Sequence, residues 1–279
     1  MDRYDLYERA VTDGPRLARF LNAVHGGSPR VLAEHFSGSG ALARAWPALG
    51  PRHRAIAIDF DAEPLAKLRG TARVTRERRD VMRSTTRADV IAAINFPIGY
   101  FHRRDELVAY LQRIRRLLLP GGVFVCDLYG GSDAFKPGRT RKTLRTDDGT
   151  RIDYIWEQRS ADPLTCRVVD ALHFHIHAKR RGGRTTALRK LVDAFVYDWR
   201  LWSLPELRDV AHEAGLGDMQ VYNRLADASD SEGRVYVRPI EHGDELDDPW
   251  VVYIALRPTT VTRRATKRKA PRRGSPTAR

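Results

Sequence analysis

The sequence has few cysteines, no long apolar stretch and fewer acidic than basic residues. Its 279 residues include only two cysteines, Cys126 and Cys166, too few for a framework of disulfide bonds. The longest apolar runs, such as residues 251–256, fall far short of the roughly 20 residues that span a bilayer. The first residues lack the apolar core of a secretion signal. These absences predict a cytoplasmic protein that makes no contact with a membrane.

The excess of positive charge is concentrated at one end of the chain. The net charge is +14, but nine basic residues and no acidic ones lie from Arg257 onward, which leaves +5 on residues 1–256. The terminal segment has one large apolar residue, Val261. It therefore buries too little surface to offset the entropy lost on ordering. We predict one folded domain over residues 1–256 and a disordered basic tail over residues 257–279.

Strand and helix patterns alternate through residues 30–130. Short apolar segments predict strands at residues 31–36, 55–58, 90–94 and 123–128, with helical patterns between them. The expected third strand, near residues 73–81, is so rich in charge that it fits only the edge of a sheet. The alternation predicts a parallel sheet with helices on both faces, which binds ligands outside the carboxyl ends of its strands.

The spacing of apolar side chains changes in the second half of the chain. Residues 152–156, 171–177 and 191–197 alternate between apolar and polar side chains, as antiparallel strands do. A capping box begins a helix at residues 203–206, and two last strands are expected at residues 219–222 and 250–256. We expect residues 150–198 to form a small antiparallel insertion that covers the carboxyl edge of the main sheet like a lid.

A loop with small residues after the first strand is the most informative segment. Gly38 and Gly40 precede a predicted helix whose free N–H groups attract anionic or polar ligand groups. Asp59 lies 19 residues after Gly40, at the end of the next strand, where a carboxylate can accept from two ribose hydroxyls. With Ala43, the two glycines also satisfy the dinucleotide-binding spacing. The pattern predicts a nucleotide-type ligand.

Glu34 distinguishes between such ligands. It lies inside the first strand, four residues before Gly38. Its carboxylate would repel a pyrophosphate but would attract the ammonium group of an amino acid. An ion-paired Glu34 with no ligand role is the alternative, and the nearby loop and Asp59 favour the ligand role.

Further motifs resemble those of one family. Asp80 follows the third expected strand, Asn95 and Phe96 follow the fourth, and a Leu-Pro-Gly-Gly turn at residues 119–122 precedes the fifth. Together with residues 34–40 and Asp59, these features resemble the class I S-adenosylmethionine-dependent methyltransferases along most of residues 1–256. The resemblance implies a Rossmann-like α/β fold with a doubly wound, mostly parallel sheet, and S-adenosyl-L-methionine as the cofactor.

The resemblance also implies roles for individual residues. Phe36 stands where the family has the first glycine of its loop, so we expect its side chain to narrow the approach to the methionine end of the ligand. Asp80 is similar to the residue that meets the adenine amine. The cofactor contacts implied in this way are Glu34, Phe36, Gly38, Gly40, Asp59, Phe60, Asp80 and Asn95.

A closer resemblance is to a bacterial subgroup of these enzymes. The subgroup has an Asn-Phe pair after the fourth strand, a D-L-Y-G-G segment (residues 127–131 here) and a Y-D-W-R-L-W block (residues 197–202 here). It points to no particular substrate.

Candidates for the acceptor side lie at the ends of the fourth and fifth strands and in the later aromatic block. Methyl transfer is an in-line displacement, so the protein mainly aligns the reactants, excludes water and, for some substrates, removes a proton. The candidate catalytic residues are Asn95, Tyr100 and His102, and the candidate substrate residues are Phe96, Tyr129, Tyr197, Arg200 and Trp202. Arg200 would hold a substrate carboxylate, and ordinary core packing is the alternative for each aromatic residue.

Two other groups of residues have open interpretations. His173, His175 and His177 would share one face of a strand, but no acidic or cysteine ligand follows at a familiar metal-binding spacing, so we expect no metal site. Tyr4 and Tyr7 resemble an N-terminal segment that closes over the cofactor in related enzymes. An N-terminal helix that simply packs on the domain explains them equally well.

Several functions fit these features. The leading one is a methyltransferase for a small-molecule acceptor. An RNA or protein methyltransferase is the first alternative, with the basic tail and the clusters at residues 139–145 and 179–190 holding a polyanion non-specifically. The second alternative is a non-catalytic nucleic-acid-binding or scaffold protein. A nicotinamide-dependent oxidoreductase is disfavoured by Glu34.

Overall fold

The computed structural model of the chain describes residues 1–179, 185–223 and 237–259. The α-helices are α1 (Arg3–Val11), α2 (Gly14–His25), α3 (Ala41–Ala45), α4 (Ala62–Leu65), α5 (Arg104–Leu117) and α6 (Leu204–Glu213). The strands are β1 (Val31–His35), β2 (Arg54–Asp59), β3 (Val74–Arg78), β4 (Ala88–Ala93), β5 (Leu118–Gly130), β6 (Gly138–Arg145), β7 (Arg151–Asp162), β8 (Arg167–Lys179), β9 (Thr185–Arg200), β10 (Asp218–Asn223) and β11 (Trp250–Arg257).

The main sheet has seven strands in the order β10-β11-β5-β4-β1-β2-β3. The pairs β1–β2, β1–β4, β2–β3 and β4–β5 are parallel, whereas β11 is antiparallel to both of its neighbours. The predicted doubly wound, mostly parallel sheet is therefore confirmed. The charged third strand lies at the sheet edge as expected, with most of its side chains exposed.

Helices cover both faces of this sheet. On one face, α5 and α6 bury residues such as Leu111 and Val210 against β4 and β5. On the other face, α2 and α3 bury residues such as Phe20 and Leu42 against β1 and β4. Because the central strands are covered on both sides, β4 is apolar at every position except Asp89 and is buried nearly throughout.

A second sheet is antiparallel, with the strand order β6-β7-β8-β9. It confirms the predicted insertion but begins at Gly138, earlier than the expected boundary near residue 150. The strand β6 was missed because its sequence, G-R-T-R-K-T-L-R, is basic and lies at a sheet edge, where no apolar alternation is required. The basic cluster at residues 139–145 is thus a paired strand.

A third apolar cluster joins α1 to the antiparallel sheet. Leu6 is fully buried against Ile152, Phe174 and Ile176. Helix α1 also forms ion pairs with the main domain, including Arg44 with Glu8 at 2.6 Å. The N-terminal helix therefore lies between the two sheets and helps to hold the insertion in place.

Two expectations concern residues outside the ranges that the structure describes. The basic tail lies outside them from residue 260 onward, and part of the cluster at residues 179–190 also lies outside them. In the described ranges, none of the helices combines the length and apolar character needed to cross a bilayer.

Candidate functional site

The loop after β1 contains two glycines in different surroundings. Packing leaves no room for a side chain at one of them, and the space beside the other is open. Gly38 and Gly40 have left-handed φ angles of +52° and +68°. A Cβ atom on Gly40 would lie 2.6 Å from Cδ1 of Leu68, whereas a Cβ atom on Gly38 would meet nothing within 4 Å. Gly40 is thus fixed by the fold, and the open space beside Gly38 leaves room for a ligand next to its backbone.

Asp59 connects the end of β2 to this loop. One oxygen of its carboxylate accepts a hydrogen bond from the amide of Gly38 at 2.7 Å, and the other accepts from the amide of Asp61 at 2.9 Å. Burial raises the pKa of this carboxyl above its ordinary value. The next residue, Phe60, keeps 73% of its surface exposed, as a ring available to a ligand would.

Glu34 lies beneath the same loop. Its side chain is 9% exposed, and Oε2 accepts a hydrogen bond from the amide of Ala43 in α3 at 2.8 Å. Burial raises the pKa of Glu34 to about 8. The nearby Arg44 forms an ion pair with Glu8 of α1. Glu34 is therefore a buried acid that a cationic ligand group would stabilise in its ionised form.

Phe36 occupies a backbone position that glycine adopts more easily. Its φ angle is +54°. The ring packs against Tyr100, Phe101 and Tyr110, with centroid distances of 6.3, 6.2 and 6.1 Å. Aromatic packing therefore accommodates the side chain that replaces the family's first glycine, and its contact with a cofactor stays a prediction.

Asp127 holds the segment after β4, a role that the sequence analysis did not assign to it. Its two carboxylate oxygens accept hydrogen bonds from the amides of Asn95 and Phe96, at 2.8 and 2.7 Å. Both of these residues have left-handed φ angles, +73° and +66°. Burial raises the pKa of Asp127 to about 7. The D-L-Y-G-G segment was the signal that marked this residue.

Asp80 lies beyond β3 and is exposed. Its side chain accepts from the amide of Met82 at 2.8 Å and caps a short 3-10 turn. The cap fixes the direction of the loop at the far edge of the candidate cofactor site.

An aromatic face of the antiparallel sheet lies above the ends of β4 and β5. Trp199 stacks on Tyr197 at 4.3 Å, and Phe96 lies 5.9 Å from Trp199 and 4.9 Å from Tyr129. Tyr100 contacts Trp199 at 6.0 Å. Four of the predicted residues, Phe96, Tyr100, Tyr129 and Tyr197, are therefore brought together. Trp156 and Trp199 join them. The alternation of β7 was the signal for Trp156, and the Y-D-W-R-L-W block was the signal for Trp199.

Arg200 and Trp202 lie at the junction between β9 and α6, and their contacts with a substrate stay predictions. The guanidinium of Arg200 donates to Glu206 at 3.0 Å and to the carbonyl of His102 at 3.1 Å. It also lies 3.9 Å above the ring of Trp202, which is 2% exposed. Both side chains stabilise the junction between β9 and α6. These contacts give the Arg200 guanidinium partners within the protein, and its contact with a substrate carboxylate stays a prediction.

His102 lies in the same junction. Its Nε2 atom is 2.9 Å from the carbonyl oxygen of Asp198. This contact fixes the ring against the end of β9, so a role as a general base stays a prediction.

Tyr4 and Tyr7 of α1 lie beside the Asp59 loop and the aromatic face, where an N-terminal segment would cover the candidate cofactor site. The hydroxyl of Tyr4 lies 3.3 Å from carboxylate oxygens of Asp61 and Glu63, just after β2. The ring of Tyr7 lies 5.2 Å from Phe195 of the antiparallel sheet, and its hydroxyl pairs with that of Tyr197. Helix α1 therefore reaches from the Asp59 loop to the aromatic face.

A cavity of about 330 Å³ adjoins Asn95. Its other walls come from the end of α1, the start of α2, Lys142 of β6 and Tyr253 of β11. This volume suits part of a small molecule.

Two of the three histidines of β8 pair with carboxylates of β7. Nε2 of His173 lies 2.9 Å from Glu157, and Nε2 of His177 lies 2.7 Å from Asp153. In the part of the chain that the structure describes, no group of three or more His, Cys, Asp or Glu residues could hold a metal ion.

No family model matches the sequence, and no curated protein matches it. Solved structures do match the fold. One is an S-adenosylmethionine-dependent methyltransferase from Clostridium acetobutylicum, 14% identical, with a TM-score of 0.62 over 92% of this chain and 98% of that one. Another is the amino pentose methyltransferase CalS10 from Micromonospora echinaspora, 14% identical, with a TM-score of 0.62 over 92% and 97% of the two chains. A third is the sugar N-methyltransferase KedS8 from Streptoalloteichus, 16% identical, with a TM-score of 0.60 over 92% and 93%. The sheet order, the glycine loop and these likenesses show that the chain has the fold of the class I S-adenosylmethionine-dependent methyltransferases.

Proposed function

We propose that this protein is an S-adenosylmethionine-dependent methyltransferase that acts on a small-molecule acceptor. The observation that carries the proposal is the arrangement around Gly38. Its open backbone lies between the buried carboxyl group of Glu34 and the carboxylate of Asp59, at the carboxyl ends of adjacent strands.

The residues at this site fit the cofactor. Glu34 would bind the ammonium group, because no ion pair joins it to a cation within the described ranges. Asp59 would accept from the ribose hydroxyls with the lone pairs that Gly38 and Asp61 leave free. Phe60 and Asp80 would lie at the adenine end.

The cofactor would supply an electrophilic sulfonium methyl group. The contribution of this chain is to position and enclose the acceptor. Asp127 fixes the backbone of Asn95 and Phe96, which lie at the end of the strand nearest the cofactor loop. The aromatic face and α1 exclude water above that segment. Alignment and exclusion of water are the main requirements of an in-line methyl transfer.

A small acceptor fits the enclosure better than a polymer does. The cavity beside Asn95 has the volume of a pocket for part of a metabolite, and the aromatic face lies on the other side of the Asn95–Phe96 segment. The basic side chains of β6 are partly neutralised in the sheet, since Arg139 pairs with Glu157 and Arg141 with Asp153. Similar folds include a sugar N-methyltransferase and an amino pentose methyltransferase, which supports a small-molecule acceptor here.

Calorimetric titration of S-adenosylmethionine and S-adenosylhomocysteine into the protein tests the proposal. We expect saturable binding that Asp59→Ala weakens by about 10- to 100-fold, the range for losing one or two hydrogen bonds to a charged group. Asp209→Ala, at an exposed position of α6, is the matched control and should bind like the wild type. A folded wild-type protein that binds neither ligand would refute the proposal.

A further inference from the structure

A buried carboxylate in the aromatic face has an oxygen without a partner. Asp170 of β8 is fully buried, with its side chain on the same face of the strand as Val168 and Leu172. Oδ2 accepts a hydrogen bond from the hydroxyl of Tyr129 at 2.9 Å. Oδ1 has no hydrogen-bond partner among the residues that the structure describes. A buried carboxylate oxygen in this state costs free energy unless a ligand supplies the missing contact.

The groups around Asp170 do not supply a counter-ion. In the ladder it lies opposite Gln158 of β7 and Tyr197 of β9. The amide nitrogen of Gln158 donates to the carbonyl of Ala134 at 2.9 Å, and the hydroxyl of Tyr197 pairs with Tyr7. No ion pair in the described ranges involves Asp170, whereas the carboxylates on the opposite face of the same sheet pair with arginines.

Aromatic side chains lie near this carboxylate on the same face of the sheet. The ring of Trp156 lies 6.3 Å from Tyr129 and 6.4 Å from Tyr197. Tyr129, Tyr197 and Trp156 keep part of their surface accessible, so these three side chains border an open cleft rather than a closed core. The faces of such rings attract cations, most strongly where water is excluded. A single carboxylate beside several aromatic rings is therefore suited to a cation.

We propose that Asp170, held in place by Tyr129, binds a protonated amine of the methyl acceptor. This inference rests on the proposed function and narrows its substrate class to small molecules that carry an ammonium group. The location agrees with that role. Tyr129 lies two residues after Asp127, and its ring contacts Phe96 at 4.9 Å, so the carboxylate adjoins the segment expected to receive the acceptor.

Asp170 is ionised at the pH where this recognition is needed. Burial raises its pKa to about 6, and the hydrogen bond from Tyr129 opposes that shift. At pH 7.5 the carboxylate is therefore mostly charged, while an aliphatic amine is protonated. An ammonium group would restore the neutrality of the cleft and give Oδ1 its hydrogen bond.

A matched pair of probes tests the proposal at pH 7.5. The protein, saturated with S-adenosylhomocysteine, is titrated with 2-phenylethylamine and with 2-phenylethanol, which has the same ring and no charge. Calorimetry or the fluorescence of Trp156 and Trp199 reports binding. We expect the amine to bind at least about tenfold more tightly, the order expected for a charged hydrogen bond with a cation–π contact.

Asp170→Asn should remove that preference because it keeps the shape of the side chain and removes its charge. Tyr129→Phe should weaken amine binding less, since the carboxylate remains. Asp209→Asn, on the exposed face of α6, is the charge-matched control. An amine preference that survives in Asp170→Asn, or equal binding of the amine and the alcohol to the wild type, would overturn the proposal.

The affinity for S-adenosylhomocysteine, measured in every variant, separates this proposal from the proposed function. If Asp170→Asn binds S-adenosylhomocysteine normally, that variant is folded. A lost amine preference then results from the change at Asp170 and not from unfolding. If the wild type fails to bind it, the methyltransferase proposal falls. The amine titration, repeated without S-adenosylhomocysteine, would still decide whether Asp170 recognises a cation.

Discussion

Replacement of Glu34 by glutamine should improve the stability of the ligand-free protein at high pH and weaken its ligand binding. Glutamine keeps an oxygen that can accept from Ala43 and removes the ionisable group from a site that is 9% exposed. Burial raises the pKa of Glu34 to about 8, well above its ordinary value of 4.5. The two effects have opposite signs and the same physical cause, the cost of a buried negative charge.

The stability effect follows from proton linkage. Between pH 4.5 and 8 the folded state holds a proton on Glu34 that the unfolded state has lost. Stability therefore falls as pH rises through this window, by at most about 1.4 kcal/mol per pH unit. Between pH 6 and 8 the wild type should lose about 2 kcal/mol that Glu34→Gln does not lose. Urea unfolding at the two pH values measures this difference.

The binding effect has the opposite direction. Only about one tenth of Glu34 is ionised at pH 7, and about half at pH 8, if its pKa is about 8. If the carboxylate binds the ammonium group of S-adenosylhomocysteine, wild-type affinity should rise about fivefold from pH 7 to pH 8 and about tenfold from pH 6 to pH 7. Glu34→Gln should bind weakly, with little dependence on pH.

An exposed glutamate of α6 provides the control for both effects. Glu213→Gln alters an exposed glutamate of α6 that pairs with Arg104, and it should change neither the pH dependence nor the affinity. Asp59 also lies near Glu34 and has a raised pKa. Asp59→Asn, measured in parallel, separates its contribution. A Glu34→Gln variant with wild-type affinity at pH 8, or with wild-type pH dependence, would refute the reasoning.

Three further predictions concern the loops that form the site. Gly38→Ala, at an open position, should weaken S-adenosylhomocysteine binding about tenfold or more and lower stability by about 1 kcal/mol, because only the left-handed backbone is strained. Gly40→Ala should lower stability by about 2 kcal/mol or more in urea unfolding, since its Cβ atom also collides with Leu68. Similar stability losses for the two variants would contradict this distinction. Asp127→Ala leaves the amides of Asn95 and Phe96 without their acceptor, so it should lower stability by about 2 kcal/mol or more in urea unfolding. Unchanged stability would show that the carboxylate does not hold this segment.

The sequence alone was sufficient for the main sheet and the candidate cofactor loop. Strand and helix periods are local properties, and each buried strand of the main sheet carries its own apolar run. The glycines, Glu34 and Asp59 follow from short spacings along the chain, so they were identified without knowledge of the fold. The edge position of β3 was predicted for the same reason.

Tertiary structure alone decided which distant side chains meet. The strand β6 has no apolar alternation, so only its pairing with β7 reveals it. The contacts of Asp127 with Asn95 and of Asp170 with Tyr129 join residues 32 and 41 positions apart. Arg200 was assigned to the substrate by its charge, but its partner Glu206 is set by the turn into α6. Local pattern determines which elements form because it reflects backbone preference and burial of one face. The roles of single polar residues depend on which neighbours the packed elements bring within hydrogen-bond distance.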